Sequence, residues 1–199
     1  REVVFALAEL ASIALHRGDA ETAEERCQEA LAIARDLGDP RATSGALSIL
    51  AEVARTKGEH ERALAVSEEA VGLRRALGDP LLIVDSTYHT GVTAFGAGDL
   101  DRAGREFEAS LSLARELGDS LYAGGALCML GTVALLKDDL PLALDRLHAS
   151  LAIYAELGDR RSTAECLCAL GGYAAAVDQP EQAARLWGAA DLLRGDSPL

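Results

Sequence analysis

An all-α fold, a solenoid of five antiparallel helix hairpins, is predicted by three features of the 199-residue sequence. Leu-Gly-Asp recurs at Leu37-Gly38-Asp39, Leu77-Gly78-Asp79, Leu117-Gly118-Asp119 and Leu157-Gly158-Asp159, each copy forty positions after the one before. A fixed period of that length marks stacked repeats in which each unit packs on its neighbours. The composition is rich in Ala, Leu, Glu, Arg and Gly, contains 4% aromatics and has no Asn, a balance that favours helix over sheet. Aligned on the period, Ala23, Ala63, Ala103, Ala143 and Ala183 form one column of small residues, and Ala14, Ala54, Ala94, Ala134 and Ala174 form another.

The period divides a single repeat domain, 1–199, into units 1–39, 40–79, 80–119, 120–159 and 160–199. In each unit a first helix, A, stops at a second mark and a second helix, B, stops at Leu-Gly-Asp. The A-to-B marks are Gly18-Asp19, Gly58-Glu59, Gly98-Asp99, Asp138-Asp139 and Asp178-Gln179-Pro180. A Gly past a helix end takes the left-handed conformation that closes the last turn, and the Asp after it accepts from free N–H groups of the next helix. Pro40 and Pro80 follow such an Asp at the first helical position, where a missing N–H is harmless. Asp138 and Asp178 replace the turn Gly and tolerate that conformation less well, so strained turns are expected there.

Larger residues fill the spaces between the Ala columns: Leu10, Leu50, Leu130 and Leu170 on A, and Leu31, Val71, Leu111 and Leu151 on B. Their spacing gives each helix one apolar stripe for a neighbouring hairpin to bury. In the fifth unit helix B is expected over Glu181–Arg194, stopped early by Gly195, with Ser197-Pro198-Leu199 where Leu-Gly-Asp is due. Trp187 stands in the column of Cys27, Ser67, Phe107 and Leu147, where a large aromatic is expected to plug the end of the stack.

The formal net charge of −13 argues against direct nucleic-acid contact by this segment, because such binding needs Lys and Arg to displace counterions. No run of about 18 apolar residues and no basic-then-apolar leader is present, so neither a membrane partner nor a signal peptide is expected and the default location is cytoplasmic. The sole methionine, Met129, is internal, which reads as a fragment of a longer multidomain protein. Cys27, Cys128, Cys166 and Cys168 lack zinc-type spacing, and two residues apart on a helix Cys166 and Cys168 diverge; small buried thiols are expected. His16, His60, His89 and His148 fall in different columns, which reads as incidental histidine and no metal site. Glu24-Glu25 and Glu68-Glu69 are adjacent pairs on B helices, suited to a hydrated face and not to acid–base work on a shared substrate. With no Ser-His-Asp set, phosphate loop or GxSxG elbow, no catalytic residues, cofactor or enzymatic activity are expected.

The columns resemble the tetratricopeptide repeat. Its small A-helix residue corresponds to Gly91, Gly131 and Gly171, with Ala11 and Ala51 in the first two units, and its turn glycine to Gly18, Gly58 and Gly98. Its invariant Ala is the column 23, 63, 103, 143 and 183, and its second Ala is Ala30, Ala70 and Ala190, with Ser110 and Ser150 substituting. The departure is period, forty where the family usually has 34. The longer unit, with Ala114-Arg115-Glu116-Leu117-Gly118-Asp119 and the closing Ala183–Ala190 stretch, is similar to the repeat region of large ATP-binding, LuxR-type or antibiotic-regulator-type bacterial transcription regulators, of which the maltose activator is one. That resemblance implies a right-handed superhelix and a sensor or scaffold arm; arrays attached to bacterial cyclases and kinases are the alternative parents.

Stacking as in the family implies a concave groove lined by helix A. Its residues are Glu52 and Arg55, then Asp85, Tyr88, Val92 and Phe95, then Cys128, Thr132, Leu135 and Leu136, followed by Glu165 and Cys168. Such a mixed groove with a central aromatic patch suits a peptide, a partner protein or a small effector. Tyr88 and Phe95, seven apart, share one face, but spacing leaves open whether that face meets the groove or the next helix. The family's clamp for chaperone C-terminal carboxylates uses Lys and Asn; its columns here hold Ala8, Ser12, Ser48 and Glu52, which argues against a chaperone-tail adaptor. Self-association into a homo-oligomer, or service as a spacer, is the competing structural reading.

Overall fold

The computed structural model describes residues 2–195; the expectation placed on Ser197-Pro198-Leu199 lies outside them. Ten helices follow one another: α1 (Glu2–His16), α2 (Ala20–Asp36), α3 (Pro40–Thr56), α4 (His60–Leu77), α5 (Pro80–Gly96), α6 (Leu100–Leu117), α7 (Ser120–Leu136), α8 (Leu140–Leu157), α9 (Arg160–Ala176) and α10 (Pro180–Gly195). Odd-numbered helices are the A helices and even-numbered ones the B helices. No strand is present among the described residues. The chain forms two compact units, Arg1–Glu106 and Phe107–Leu199.

The turns do what the punctuation implies, and one residue does most of it. At the Leu-Gly-Asp turns of Asp39, Asp119 and Asp159 and the A-to-B marks of Asp19, Asp99 and Asp139, the backbone N–H of the Asp reaches back to the helix just ended, as in Asp39 to Ala34 O at 3.0 Å and Asp99 to Ala94 O at 3.0 Å. Its carboxylate then accepts from the N–H three residues on: Thr22 onto Asp19 at 3.1 Å, Ala42 onto Asp39 at 3.1 Å, Arg102 onto Asp99 at 2.9 Å, Tyr122 onto Asp119 at 3.1 Å, Leu142 onto Asp139 at 3.2 Å and Ser162 onto Asp159 at 3.1 Å. One side chain and one amide thus satisfy orphan groups of two helices. These bonds hold the Asp159 carboxyl below the usual carboxylate range, the Ser162 backbone N–H being the chief cause. Glu59, one methylene longer, makes no such side-chain bond. Asp138 and Asp178 do take positive φ, 62° and 57°, in the seats that Gly fills elsewhere.

Within each unit the A helices approach one another: α1 meets α3 and α3 meets α5 in the first, and α7 meets α9 in the second. The backbones of α2 and α4, and of α8 and α10, stay apart, and long side chains bridge neighbouring B helices. Arg62 reaches Glu24 at 2.5 Å and Arg35 reaches Glu69 at 2.6 Å between α2 and α4, and Arg102 reaches Glu68 at 2.5 Å. In the second unit Arg146 reaches Glu108 at 3.0 Å. Glu24 also takes Lys57 at 2.7 Å, and these two cations hold its carboxyl below the usual glutamate range. Of the adjacent carboxylates on B helices, Glu24, Glu68 and Glu69 are therefore paired across the repeat, beyond the plain hydration expected of them.

Both Ala columns are buried, Ala23, Ala63, Ala103 and Ala143 completely. Leu50, Leu130 and Leu170 are buried as expected, but Leu10 is 52% exposed. Thr43, Leu50 and Val53 of α3 are covered by α2, whereas their counterparts Val3, Leu10 and Ile13 lie on α1, the first described helix, and stand open. Leu151 is likewise only half-buried.

Volume is balanced between A and B. Where the A helix has Ala11 or Ala51 the B column holds small Cys27 or Ser67; where it has Gly131 or Gly171 the column holds Leu147 or Trp187. A Cβ on Gly131 would lie 2.7 Å from Leu147 Cγ and 3.1 Å from the Ala143 carbonyl, and one on Gly171 would lie 2.3 Å from Trp187 Nε1. Trp187 thus packs over Gly171 and donates Nε1–H to Cys168 O at 3.2 Å, yet remains 43% exposed. Gly131→Ala is expected to lower stability by about 1–3 kcal/mol through overpacking. Adding Leu147→Cys, which recreates the Ala11 and Cys27 combination, is expected to recover part of that loss. Urea unfolding of the two single variants and the double variant measures the coupling.

Candidate functional site

The residues expected to line a groove fall in both units, and each group is described within its own. In the first unit Asp85, Tyr88, Val92 and Phe95 sit at successive turns of one face of α5, and all four are half-buried. On the neighbouring α3, Glu52 is exposed and pairs with half-buried Arg55 at 3.6 Å. The α5 face is polar at its N-terminal end and aromatic toward its C-terminal end.

The rest of α5 explains why this face is left over. Val84, Thr87, Gly91 and Ala94 are buried on one side, and Ser86, Thr90 and Thr93 on another. The buried hydroxyls turn back onto their own helix, Ser86 Oγ to Leu82 O at 2.8 Å, Thr90 Oγ1 to Ser86 O at 2.9 Å and Thr93 Oγ1 to His89 O at 2.9 Å. They thereby satisfy themselves without a partner helix. Two sides are consumed by packing and the third carries Asp85, Tyr88, Val92 and Phe95.

Asp85 is held by a residue that sequence reasoning passed over. Arg74, near the end of α4, is 5% exposed, and its guanidinium donates Nη1–H to Asp85 Oδ2 and to Leu82 O at 3.3 Å. Arg74 Nε is buried with no hydrogen-bond partner. His89 Nε2 stands 3.4 Å from Asp85 Oδ1, and the Tyr88 and His89 rings meet edge to face with centroids 5.5 Å apart. The counterparts of Arg74 in its column are Ala34, Ala114, Tyr154 and Arg194, so a long cation in a seat that holds Ala in two other units was the available signal.

In the second unit Cys128, Thr132 and Leu135 are half-buried, Leu136 and Glu165 are exposed and Cys168 is half-buried. Thr132 Oγ1 is spent on Cys128 O at 2.9 Å, and Cys168 Sγ accepts from Arg194 Nη2 at 2.9 Å. Cys128 of α7 and Cys166 of α9 lie close enough for their thiols to influence each other. Ser150 Oγ stands 3.0 Å from Cys166 Sγ and donates to Gly124 O at 2.7 Å. The interaction between the two thiols draws Cys166 below the usual thiol range and pushes Cys128 above it, with burial adding to the latter. Cys27, alone in its core, is pushed up to about 12 by burial.

A cavity that the sequence reading did not anticipate opens between α8 and α10 over α9. It has a volume of about 440 Å³ and is walled by Leu144, Leu151, Leu170, Val177 and Leu186, with His148, Tyr173, Gln179 and Gln182 supplying polar groups. None of the expected groove residues contributes to it. Among the described residues no three His, Cys, Asp or Glu side chains converge as a metal site would require, and no helix is long and apolar enough to cross a membrane.

The fold is that of a helical-repeat array. Residues 3–76, which take in most of the first two hairpins, match the tetratricopeptide repeat family. Solved structures extend the likeness of fold over the chain. BtubC from P. vanneervenii is similar with a TM-score of 0.78 and 21% identity, over 97% of this chain and 82% of that one. The Rap conjugation gene regulator of plasmid pLS20, solved in complex with a peptide, gives 0.81 and 15% identity over 96% of this chain and 53% of that one. A signal transduction ATPase with numerous domains from Pyrococcus horikoshii, which carries a tetratricopeptide repeat sensor, gives 0.78 and 15% identity over 98% of this chain and 34% of that one. No curated protein sequence matches the chain significantly.

Replacing Asp85 with Ala leaves a buried guanidinium without its carboxylate. The substitution is expected to destabilise the protein by about 2–3 kcal/mol, below the range for a fully buried pair because the Asp85 side chain is 28% exposed. Thermal or urea unfolding followed by circular dichroism checks it.

Proposed function

We propose that this chain is a noncatalytic interaction module, the sensor or scaffold repeat region of a bacterial transcription regulator, which takes a peptide, partner protein or small effector on its A-helix face. The observation that carries this reading is the half-buried face of α5. Asp85 is fixed there by a buried arginine at one end, and Tyr88, Val92 and Phe95 offer apolar area along the same side. Aromatic side chains of this sort give large contact area for little lost rotamer freedom, and a pre-positioned carboxylate selects a cationic or hydrogen-bond-donating group on the occupant. The peptide-bound Rap regulator and the sensor-bearing ATPase, similar in fold, support the assignment of class. An occupant transmits a signal only if it binds two arrangements of the repeats with different affinity.

The test starts from a peptide selected against the protein from a displayed random library, with affinity measured by calorimetry. Tyr88→Ala with Phe95→Ala is expected to weaken binding tenfold or more, about 1.4 kcal/mol, in a protein whose circular dichroism is unchanged. Equal affinity in the folded double variant removes α5 as the binding face.

A second reading, self-association within a cyclase- or kinase-linked signalling protein, draws on the open apolar stripe of α1. Val3, Phe5, Leu10 and Ile13 are 58%, 69%, 52% and 46% exposed on a single helix. On this reading the scattered mass of the wild-type chain rises with concentration and Leu10→Glu abolishes the rise; a constant monomer mass for the wild type eliminates it.

A further inference from the structure

We propose that Cys128 and Cys166 are a site of reversible oxidation, closing a disulfide that ties helix α7 to helix α9 when the protein meets a peroxide. The pair is built by register. Two residues thirty-eight apart, one repeat less two positions, meet repeatedly across successive hairpins: Glu24 with Arg62, Arg41 with Asp79 and Glu108 with Arg146. Cys128 and Cys166 have that same separation and lie on α7 and α9, which pack directly together. The two thiols are close enough to influence each other's titration, and Ser150 Oγ, 3.0 Å from Cys166 Sγ, anchors the cluster through its bond to Gly124 O. In the other units this pairing has no sulfur: the corresponding residues are Ala8 with Ala46, Ser48 with Ser86 and Tyr88 with Ala126.

The two sulfurs differ in a way that orders the chemistry. Cys166 is fully buried, whereas Cys128 is half-buried and can be approached from solvent. The Cys128 sulfur, as its thiolate, attacks one oxygen of hydrogen peroxide; the O–O bond breaks, hydroxide leaves and takes up a proton as water, and Cys128 becomes a sulfenic acid. The Cys166 sulfur then attacks the Cys128 sulfur. The S–O bond breaks, the Cys166 proton goes with the departing hydroxide as a second water, and the S–S bond forms. Two thiols and one peroxide give one disulfide and two waters, the two electrons passing from sulfur to peroxide. Side-chain rotation and a shift of the two helices bring the sulfurs to the S–S distance of about 2.05 Å. A dithiol reductant reverses the bond by exchange.

The bond would act on the second unit by fixing the two neighbouring A helices against each other. That outcome is separable from the binding face proposed on α5, since none of the residues involved is shared.

The experiment treats the full chain with hydrogen peroxide, blocks remaining thiols with iodoacetamide and maps peptides without reduction. Two of the four cysteines are expected to lose their reactivity, and the peptide carrying Cys128 is expected to be joined to the one carrying Cys166, short of two hydrogens and released by dithiothreitol. Trypsin leaves Cys166 and Cys168 on one peptide, so the decisive variants are Cys168→Ser, in which the link persists, and Cys166→Ser and Cys128→Ser, in which it is lost. The oxidised wild type is expected to unfold at a higher temperature than the reduced form, a rise absent in Cys128→Ser. A link lost in Cys168→Ser, linkage only between chains, or peroxide products confined to sulfinic and sulfonic acids overturns the proposal. Should Cys166→Ser fail to fold by circular dichroism, the fate of the link in Cys168→Ser decides the matter alone.

Discussion

The hydrogen bonds of the turn aspartates are what the other features depend on. A helix end leaves several amides or carbonyls unsatisfied, and a chain with ten helices multiplies that burden. Placing one residue so that its amide finishes one helix and its carboxylate begins the next makes the turn two or three residues long and conformationally unambiguous. The Gly before it supplies the left-handed bend; where Asp138 and Asp178 stand instead, the same geometry is kept at positive φ. The direction in which each helix leaves its turn is therefore set locally, before any packing is made, and the Ala columns meet because of it.

Packing then works by complementary volumes. The A helices carry Ala or Gly at the crossing and the B helices answer with Cys and Ser or with Leu and Trp, so the sum at each crossing is what matters and not any single residue. This frees the third side of each A helix from structural duty. On α5 that side holds a carboxylate clamped by a buried arginine and a half-buried aromatic run; on α7 it holds half-buried Cys128, beside the buried Cys166 of α9. Different units can thus carry different chemistry on one scaffold.

Most of the fold was legible because its determinants are local and repeated: the turn residues, the Ala columns and the helix spans needed only the period. The exposed state of Leu10 was not legible from its column, since burial depends on having a helix in front of it. The candidate site was legible in part. Spacing placed Asp85, Tyr88, Val92 and Phe95 on one side of α5, but which side needed the packing of Ser86, Thr90 and Thr93 to be seen. Arg74, the Cys128 and Cys166 pair and the cavity bounded by Leu144 and Leu186 escaped because they arise between repeats, at offsets of 11 residues, thirty-eight residues and a helix-to-helix gap, and not within a column. The recurring separations of 34 and 38 between Glu and Arg on B helices were the readable trace of that register.

The shared aspartate also limits how such a chain can change its length. Adding or deleting one residue beside Asp39 or Asp119 would separate the amide that ends one helix from the carboxylate that starts another, undoing two terminations at once. Single-residue insertions at these corners are therefore excluded far more strictly than in ordinary surface loops, and growth or shrinkage proceeds most readily by duplication or loss of a complete forty-residue block.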